Sequence, residues 1–464
     1  MTRKKTMKTQ EAPIPSVRIV SLGCAKNFVD TEIAAAALLT RGFALTDDEG
    51  EADVLFINTC AFLASARKEA EAEIKRAGTW KKRRAGRKII VGGCIVSWDT
   101  DGAFRAGHPE VDAWCSIRSA DDIGRIAAET IGNDGGGRFY DGAGKPFIYN
   151  HSTPRLQLTP PHYAYLKIAD GCDNRCTYCK IPDIRGPLRS RTVEDVVREA
   201  RNLLKNGVRE LIVIAQDTSA FGRDRYGKPK LAELLRRLDR FDGEYLIRLM
   251  YLHPASINDE LLAAMAGCRH LIRCLEIPIQ HVSDHILRAM HRKIGGEETK
   301  AVIRRLRFDL GFALRTTFMV GFPGETDEDF RELLDFVREI RFNRLGAFVF
   351  SPEDGVPAAV MPGRPSARVS AKRLKELMEL QAGISLEANE ALTGCEADVI
   401  VDEILPRGRA AGRLFTDAPE IDNSVTVRGL KKGEAQAGDF IKIRVDSAAE
   451  YEISGTILRG GESA

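Results

Sequence analysis

The 464-residue sequence lacks any uninterrupted run of the ~18 apolar residues that a membrane-spanning helix requires. Its start, MTRKKTMK, is basic but leads into polar residues and prolines, without the apolar segment of a signal peptide. The expectation is a cytoplasmic protein with no membrane partner. A strong charge of one sign is also missing. The 69 Lys and Arg against 66 Asp and Glu leave a formal net charge of +3, too small at this length to argue generally for nucleic-acid binding. Disorder is excluded as the default, because 44% hydrophobic and 29% charged residues are globular values. What the sequence does contain is ten cysteines. Disulfides are rare in the cytosol, so clustered cysteines there point to metal binding or catalysis.

The chain reads as an α/β multidomain protein. Over residues 15–132, VRIVSLG, DVLFINT and KIIVGG are short, unbroken apolar runs rich in Val and Ile, as in buried parallel strands, with Ala-rich helical stretches between them. A Gly-rich segment, GNDGGGRFYDGAG, opens a linker over 133–157. Over 158–392 the alternation resumes with YAYLKIA, ELIVIAQ, YLIRLMYL, CLEIPIQ, LRTTFMVG and LGAFVF. The first helix there is well marked, with Thr192 placed to cap it, an apolar stripe from Val193 to Leu204, and Gly207 to stop it. Six such units predict a partial (βα)6 barrel with its chemistry at the C-terminal strand ends. Residues 393–464 switch to strands alone, ADVIVDEI, RAAGRLFT, NSVTV and DFIKIRVD, predicting a small antiparallel β-barrel.

CDNRCTYC places Cys172, Cys176 and Cys179 in one loop directly after the first strand of the second region. Three thiolates at this spacing can wrap a cubane iron–sulfur cluster and leave one iron open for a substrate. A structural zinc site would want a fourth ligand, and none is evident nearby, since His162 precedes the strand. Zinc and free core thiols stay as the alternatives. Cys24, Cys60 and Cys94 each end one of the three N-terminal strands, in VSLGC, INTC and VGGC. Their separations of 36 and 34 residues match one βα repeat, so all three thiols emerge at one edge of a parallel sheet, where α/β proteins gather ligand sites. Again there are three ligands, so a second cluster with an exposed iron is inferred, against three independent buried cysteines.

The loop spacing, with aromatic Tyr178 before its last cysteine, resembles the radical S-adenosylmethionine (SAM) motif. The two three-cysteine sets and the terminal β-barrel together resemble the methylthiotransferase family over nearly the whole chain. That resemblance implies two [4Fe–4S] clusters, an auxiliary one on Cys24, Cys60 and Cys94 and a SAM-cleaving one on Cys172, Cys176 and Cys179. It implies SAM as both methyl donor and radical source, adenine lying against the backbone around Tyr178, and an OB-like TRAM domain at the C-terminus. SLGCAKNFVDTE, IAQDTSAFG, IPIQHVSD and DAPEID are similar to the protein-modifying branch. The implied substrate is then an aspartate of small-subunit ribosomal protein S-twelve, free or in the ribosome, with a flavodoxin or ferredoxin as electron donor. The alternatives are a transfer RNA adenosine 2-methylthiotransferase and, remotely, a non-catalytic Fe–S or zinc protein that binds ribosomes. From Thr393 to Ala464 there are nine Lys or Arg and thirteen Asp or Glu, a net of −4, which favours a basic protein partner over RNA. Direct nucleic-acid binding is not expected to dominate.

Other residues carry weaker expectations. Gln216, Gln280 and Arg315 lie at or near strand ends and are candidates to face SAM, Arg315 as a carboxylate partner. Gly321–Glu325 is either a ligand contact or a tight strand-to-helix turn. Arg185, Arg189 and Arg191 could meet substrate or form a solvated basic loop. His281 reads as a core or loop histidine, and Cys115, Cys268, Cys274 and Cys395 as structural.

Overall fold

The computed structural model describes residues 14–133, 135–142 and 147–459; the basic N-terminal octapeptide and part of the Gly-rich segment lie outside the described residues. The chain forms two compact units, one of residues up to Phe147 with Thr153–Leu156, the other of Ile148–Ser152 with residues from Gln157 onward.

The first unit is built on a six-stranded sheet of β1 (Ser16–Ser21), β2 (Ala44–Leu45), β3 (Val54–Thr59), β4 (Lys88–Gly93), β5 (Ala113–Cys115) and β6 (Arg138–Tyr140), in the order β2-β1-β3-β4-β5-β6. Every neighbouring pair is parallel. β3 and β4 are buried along their whole length, as their unbroken apolar runs require. The helices Ala25–Thr40 and Ile123–Ile131 contribute Ala34, Leu38, Ile126 and Ala127 to the core with Val54, Phe56 and Ile90. The chain order reverses between β1 and β3, which makes the carboxyl ends of these two strands the topological switch point. β6 corrects the linker reading of 133–157. Its three residues sit among glycines and are too short to show a period, yet they pair with β5 and extend the sheet.

The second unit opens with the barrel strands β7 (Tyr163–Lys167), β10 (Glu210–Ile214), β11 (Leu246–Leu249), β12 (Leu271–Glu276), β13 (Ala313–Val320) and β14 (Arg344–Val349), all parallel. Between β7 and β10, β8 (Ala169–Asp170) and β9 (Arg189–Ser190) form a two-stranded antiparallel ribbon that closes the base of the loop holding Cys172, Cys176 and Cys179. Thr192 caps the helix Val193–Lys205 by accepting from the Asp195 amide, and the apolar stripe of that helix packs on the sheet.

The terminal strands β15 (Glu396–Leu405), β16 (Arg409–Leu414), β17 (Ser424–Arg428), β18 (Phe440–Ala448) and β19 (Glu452–Ile457) close into a five-stranded barrel. One of its pairs, β17 with β19, is parallel, and β19 has no counterpart among the strands read from sequence. This small barrel docks on the N-terminal ends of the larger one. Glu210, the first residue of β10, lies fully buried between Arg248 (2.6 Å) and Arg413 (2.5 Å). The segment Asp417–Asp422 caps the same end: Asp417 pairs with Arg344, Glu420 accepts from the Tyr163 hydroxyl, and Arg248 donates to the carbonyls of Phe415 and Asp417. Among the described residues no helix is long and apolar enough to cross a membrane.

Candidate functional site

Three of the first unit's strands deliver a cysteine at their carboxyl ends. Cys24 is the N-cap of Ala25–Thr40, Cys60 follows β3, and Cys94 is the first residue of the short helix Cys94–Trp98. Cys24 and Cys60 thus flank the switch point. A helix N-terminus favours thiolate, which suits Cys24 and Cys94 as ligands. Gly23 has φ +93°, and a Cβ there would stand 2.7 Å from the Cys60 Cβ, so only glycine lets the two cysteine turns approach this closely. Asn27 donates to the carbonyls of Leu22 (2.7 Å) and Thr59 (3.2 Å), and Asn58 donates to the Asn27 carbonyl (2.9 Å). Thr59 donates to the Gly92 carbonyl and accepts from the Ile95 amide. The three strand ends are thereby locked to one another by buried side-chain hydrogen bonds.

In the barrel, the loop after β8 turns sharply at Gly171, φ +77°, where a Cβ would meet the Pro187 carbonyl at 2.1 Å. The Cys172 amide donates to Gly186, and the Cys179 amide to Cys176. Thr177 is anchored on the far side, to the Met290 and Ala289 carbonyls. The Tyr178 ring packs on an apolar cluster of Ile286, Met290, Met319, Phe322 and Phe350. Burial pushes the Cys172 thiol up to about 11 and Cys179 up to about 12, and the neighbouring thiols push each in the same direction. Three thiols close enough to repel as thiolates, in a partly buried loop, fit a group whose iron would take their charge. Among the described residues no three Cys, His, Asp or Glu side chains converge on one point as around a single metal ion. A cubane asks for something different, with each thiol on its own corner.

Polar side chains with one buried, unpartnered atom each gather at the carboxyl ends of the neighbouring strands. Gln216, beyond β10, donates to Asp170 (2.8 Å), while its Oε1 is buried and unpartnered. Gln280, beyond β12, has φ +74° and is wedged against β13 by backbone hydrogen bonds to Thr317 and Met319; its Oε1 is likewise unpartnered. His253, beyond β11, accepts from the Ala255 amide at Nδ1, which leaves the ring proton on a buried, unpartnered Nε2. Burial, then the charges of Arg292 and Lys293, hold its pKa well below the usual range, so it is a neutral donor. Arg292 reaches Cys176 Sγ (3.9 Å) and the Pro278 carbonyl (2.8 Å), and its Nε is unpartnered. Buried polar groups are almost always paired, so two acceptors and two donors left open around the cysteine loop mark the place of a polar ligand. His253 was not singled out from the sequence; its place directly after the strand run YLIRLMYL is the signal that could have found it. Arg292 lies beyond a helix in a segment with no period, and nothing in the sequence singled it out.

Arg315 is a correction. It is the third residue of β13, near the N-terminal end, and one guanidinium nitrogen lies 2.7 Å from both oxygens of Asp422. Its carboxylate partner is in the terminal barrel, at the opposite end from the cysteine loop. Glu325 accepts from the Gly321 amide and pairs with Arg373 (3.1 Å), which makes Gly321–Glu325 the tight strand-to-helix turn. His281 is buried, with Nε2 3.7 Å from Glu325, as a core histidine supporting that turn. Arg185 and Arg191 are not solvated: they are buried against Asp170 and against Asp195 and Glu199. Arg189 donates to the Arg185 carbonyl.

A three-cysteine loop after the first strand of a six-stranded parallel barrel defines a radical SAM enzyme, and residues 166–337 match the radical SAM superfamily model. Residues 16–116 match the model of uncharacterized protein family UPF0004, and 393–458 that of the TRAM domain. Relatives that match nearly end to end are ribosomal protein uS12 methylthiotransferases RimO. That of Desulforamulus reducens is 40% identical, over 96% of this chain and all of the relative. Those of Elusimicrobium minutum and Clostridioides difficile are 40% and 39% identical over 95% of this chain, covering 99% and 98% of theirs. The chain belongs to the RimO family of methylthiotransferases. Iron–sulfur chemistry and SAM come with its superfamily. Among solved structures, the radical SAM methyltransferase TsrM from Kitasatospora setae shares the fold at TM-score 0.54 and 17% identity, over 75% of this chain and 77% of that one. Cobalamin-dependent OxsB does so at 0.51 and 15%, over 79% and 56%.

Proposed function

We propose that this chain adds a methylthio group to the β-carbon of an aspartate of ribosomal protein uS12, in the cytoplasm. It does so with two [4Fe–4S] clusters, one on Cys24, Cys60 and Cys94 and the other on Cys172, Cys176 and Cys179. The observation that carries this reading is the near-full-length similarity to uS12 methylthiotransferases in a chain that carries two three-cysteine sets beyond strand ends. When bound, the clusters and SAM supply the electron, the radical chemistry, the sulfur and the methyl group. The protein's share is placement. Asn27, Asn58 and Thr59 hold the first set of strand ends in register. Gly171 and Thr177 anchor the second loop at either side. Gln216 and Gln280 offer acceptors to SAM, His253 and Arg292 offer donors, and the backbone at Tyr178 is the adenine platform. Arg292 sets a positive charge beside Cys176, which eases reduction of a cluster held there. A flavodoxin or ferredoxin is the electron donor.

Charge does not choose between protein and RNA. Of the thirteen acidic residues after Thr393, Asp402, Asp417, Glu420 and Asp422 engage His162, Arg344, Tyr163 and Arg315 of the larger barrel. The acidic excess of the terminal barrel is therefore largely consumed in docking, and the choice of uS12 rests on the relatives. Iron and acid-labile sulfide analysis tests the cofactor reading. The expected content is about eight irons, four per cluster, halved by Cys24→Ala, Cys60→Ala and Cys94→Ala together. Zinc without sulfide would contradict it.

A further inference from the structure

Asp217 lies three residues past the end of β10 and is only 2% exposed. Both of its carboxylate oxygens are engaged. Oδ2 accepts from the side-chain amide of Asn174 at 2.8 Å, and Oδ1 accepts from the Ser219 hydroxyl (2.5 Å) and the Ala220 amide (3.2 Å). Three donors therefore converge on this buried side chain and fix its orientation. Asn174 stands between Cys172 and Cys176, two residues from each, and is itself buried. On the other side, the turn Thr218–Ala220 is clamped to the end of β11. The Thr218 hydroxyl donates to the Met250 carbonyl (2.8 Å), and Ser219 Oγ accepts from the His253 amide (3.0 Å).

We propose that Asp217 is a positioning residue for the barrel cluster, tying the cysteine loop through Asn174 to the ends of β10 and β11 and so fixing where Cys172 and Cys176 present their sulfurs. Neighbouring residues of the loop are tied elsewhere, Asp173 to the Leu188 amide (3.0 Å) and the Arg175 carbonyl to His291 (3.1 Å), and the Asn174–Asp217 bond is the tie that runs to the end of β10. Arg175, next to Asn174, has φ +50°, a conformation that a non-glycine residue keeps only when its surroundings impose it. Partners behind metal ligands orient them and change affinity or activity by about ten- to a hundredfold when removed. The same chain of contacts ties His253, whose Nε2 is buried and unpartnered, to the cysteine loop.

The inference rests on the reading of Cys172, Cys176 and Cys179 as cluster ligands. Its test uses the full-length chain carrying Cys24→Ala, Cys60→Ala and Cys94→Ala, so that electron paramagnetic resonance of the reduced protein reports the barrel cluster alone. In this background Asp217→Asn sets an amide donor against the donor of Asn174, because the Ala220 amide fixes which side must accept. The expected result is an altered spectrum, a weakened spectral response to added SAM, and 5′-deoxyadenosine release slowed about ten- to a hundredfold. Combining Asn174→Asp with Asp217→Asn exchanges donor and acceptor across the same bond and returns spectrum and release toward those of the parent. A parental spectrum in Asp217→Asn overturns the proposal, as does an exchange variant that fails to recover. If Asp217→Asn does not fold, Asn174→Ala cuts the bond from the loop side and must reproduce the spectral change; a parental spectrum there also overturns it. A background protein with no reduced-cluster signal at all would instead overturn the ligand assignment beneath it.

Discussion

Arg315 of β13 and Asp422 of the terminal barrel are joined through both carboxylate oxygens, each 2.7 Å from the same guanidinium nitrogen. The pair is mostly buried, with the Asp422 side chain only 6% exposed, so each charge depends on the other for its solvation. Arg315→Ala leaves Asp422 without that partner and is expected to destabilise the second unit by about 2 kcal/mol. SAM affinity, measured by equilibrium dialysis on the folded variant, should stay unchanged. A loss of SAM binding without a loss of stability would restore Arg315 to the ligand site.

Asp417, in the same docking segment, gives a pH signature. Burial raises its carboxyl to about 6, with Arg344 opposing the rise. A folded-state pKa above the unfolded value of ~3.9 means that the folded chain binds the extra proton, so this group lowers stability as pH rises from about 4 to 6. Asp417→Asn removes that slope. Relative to the parent, the variant should gain about 2 kcal/mol between pH 4.5 and pH 7.5 in chemical denaturation, the part of the two-unit shift that titrates above pH 4.5. A difference between variant and parent that does not change with pH would contradict it.

Gln280 tests the ligand site without confounding the fold. Its φ of +74° is strained for a side-chain-bearing residue, so Gln280→Gly relieves strain while deleting the open Oε1. Thermal stability should hold or rise, and SAM should bind about three- to tenfold more weakly, the worth of one hydrogen bond. Unchanged SAM affinity would remove Gln280 from the site.

Gly23→Ala separates the two cysteine sets. The added Cβ would sit 2.7 Å from that of Cys60 at a φ that alanine resists. The expected product loses about half its iron, keeps reductive SAM cleavage, and transfers no methylthio group. Full iron content would show that the Cys24–Cys60 approach is not needed for the first cluster.

The two cysteine sets were legible because strand ends carry their own signature. Fully buried parallel strands are unbroken apolar runs, and cysteines directly after β3 and β4 and three residues past β1 must share an edge. β5 and β6 escaped because three residues cannot display a period, and β19, EISGTI, because Gly455 and alternating polar residues mask it. Arg292 and the role of Asn174 could not be read, since both act through contacts between segments far apart in the chain. DAPEID was legible as a family stretch but not as a docking segment: Asp417 and Asp422 take their meaning from Arg344 and Arg315, which lie on other elements. The net charge of the terminal barrel is uninformative for the same reason. A count of acids says nothing about how many are already paired.

Mass spectrometry of ribosomal protein uS12 and of bulk transfer RNA, from cells with and without this gene, tests the proposed activity most directly. The expected result is a methylthio mass on an aspartate of uS12 that disappears with the gene, while transfer RNA is unchanged. A gene-dependent methylthio group on transfer RNA, with uS12 unmodified in both strains, would contradict it.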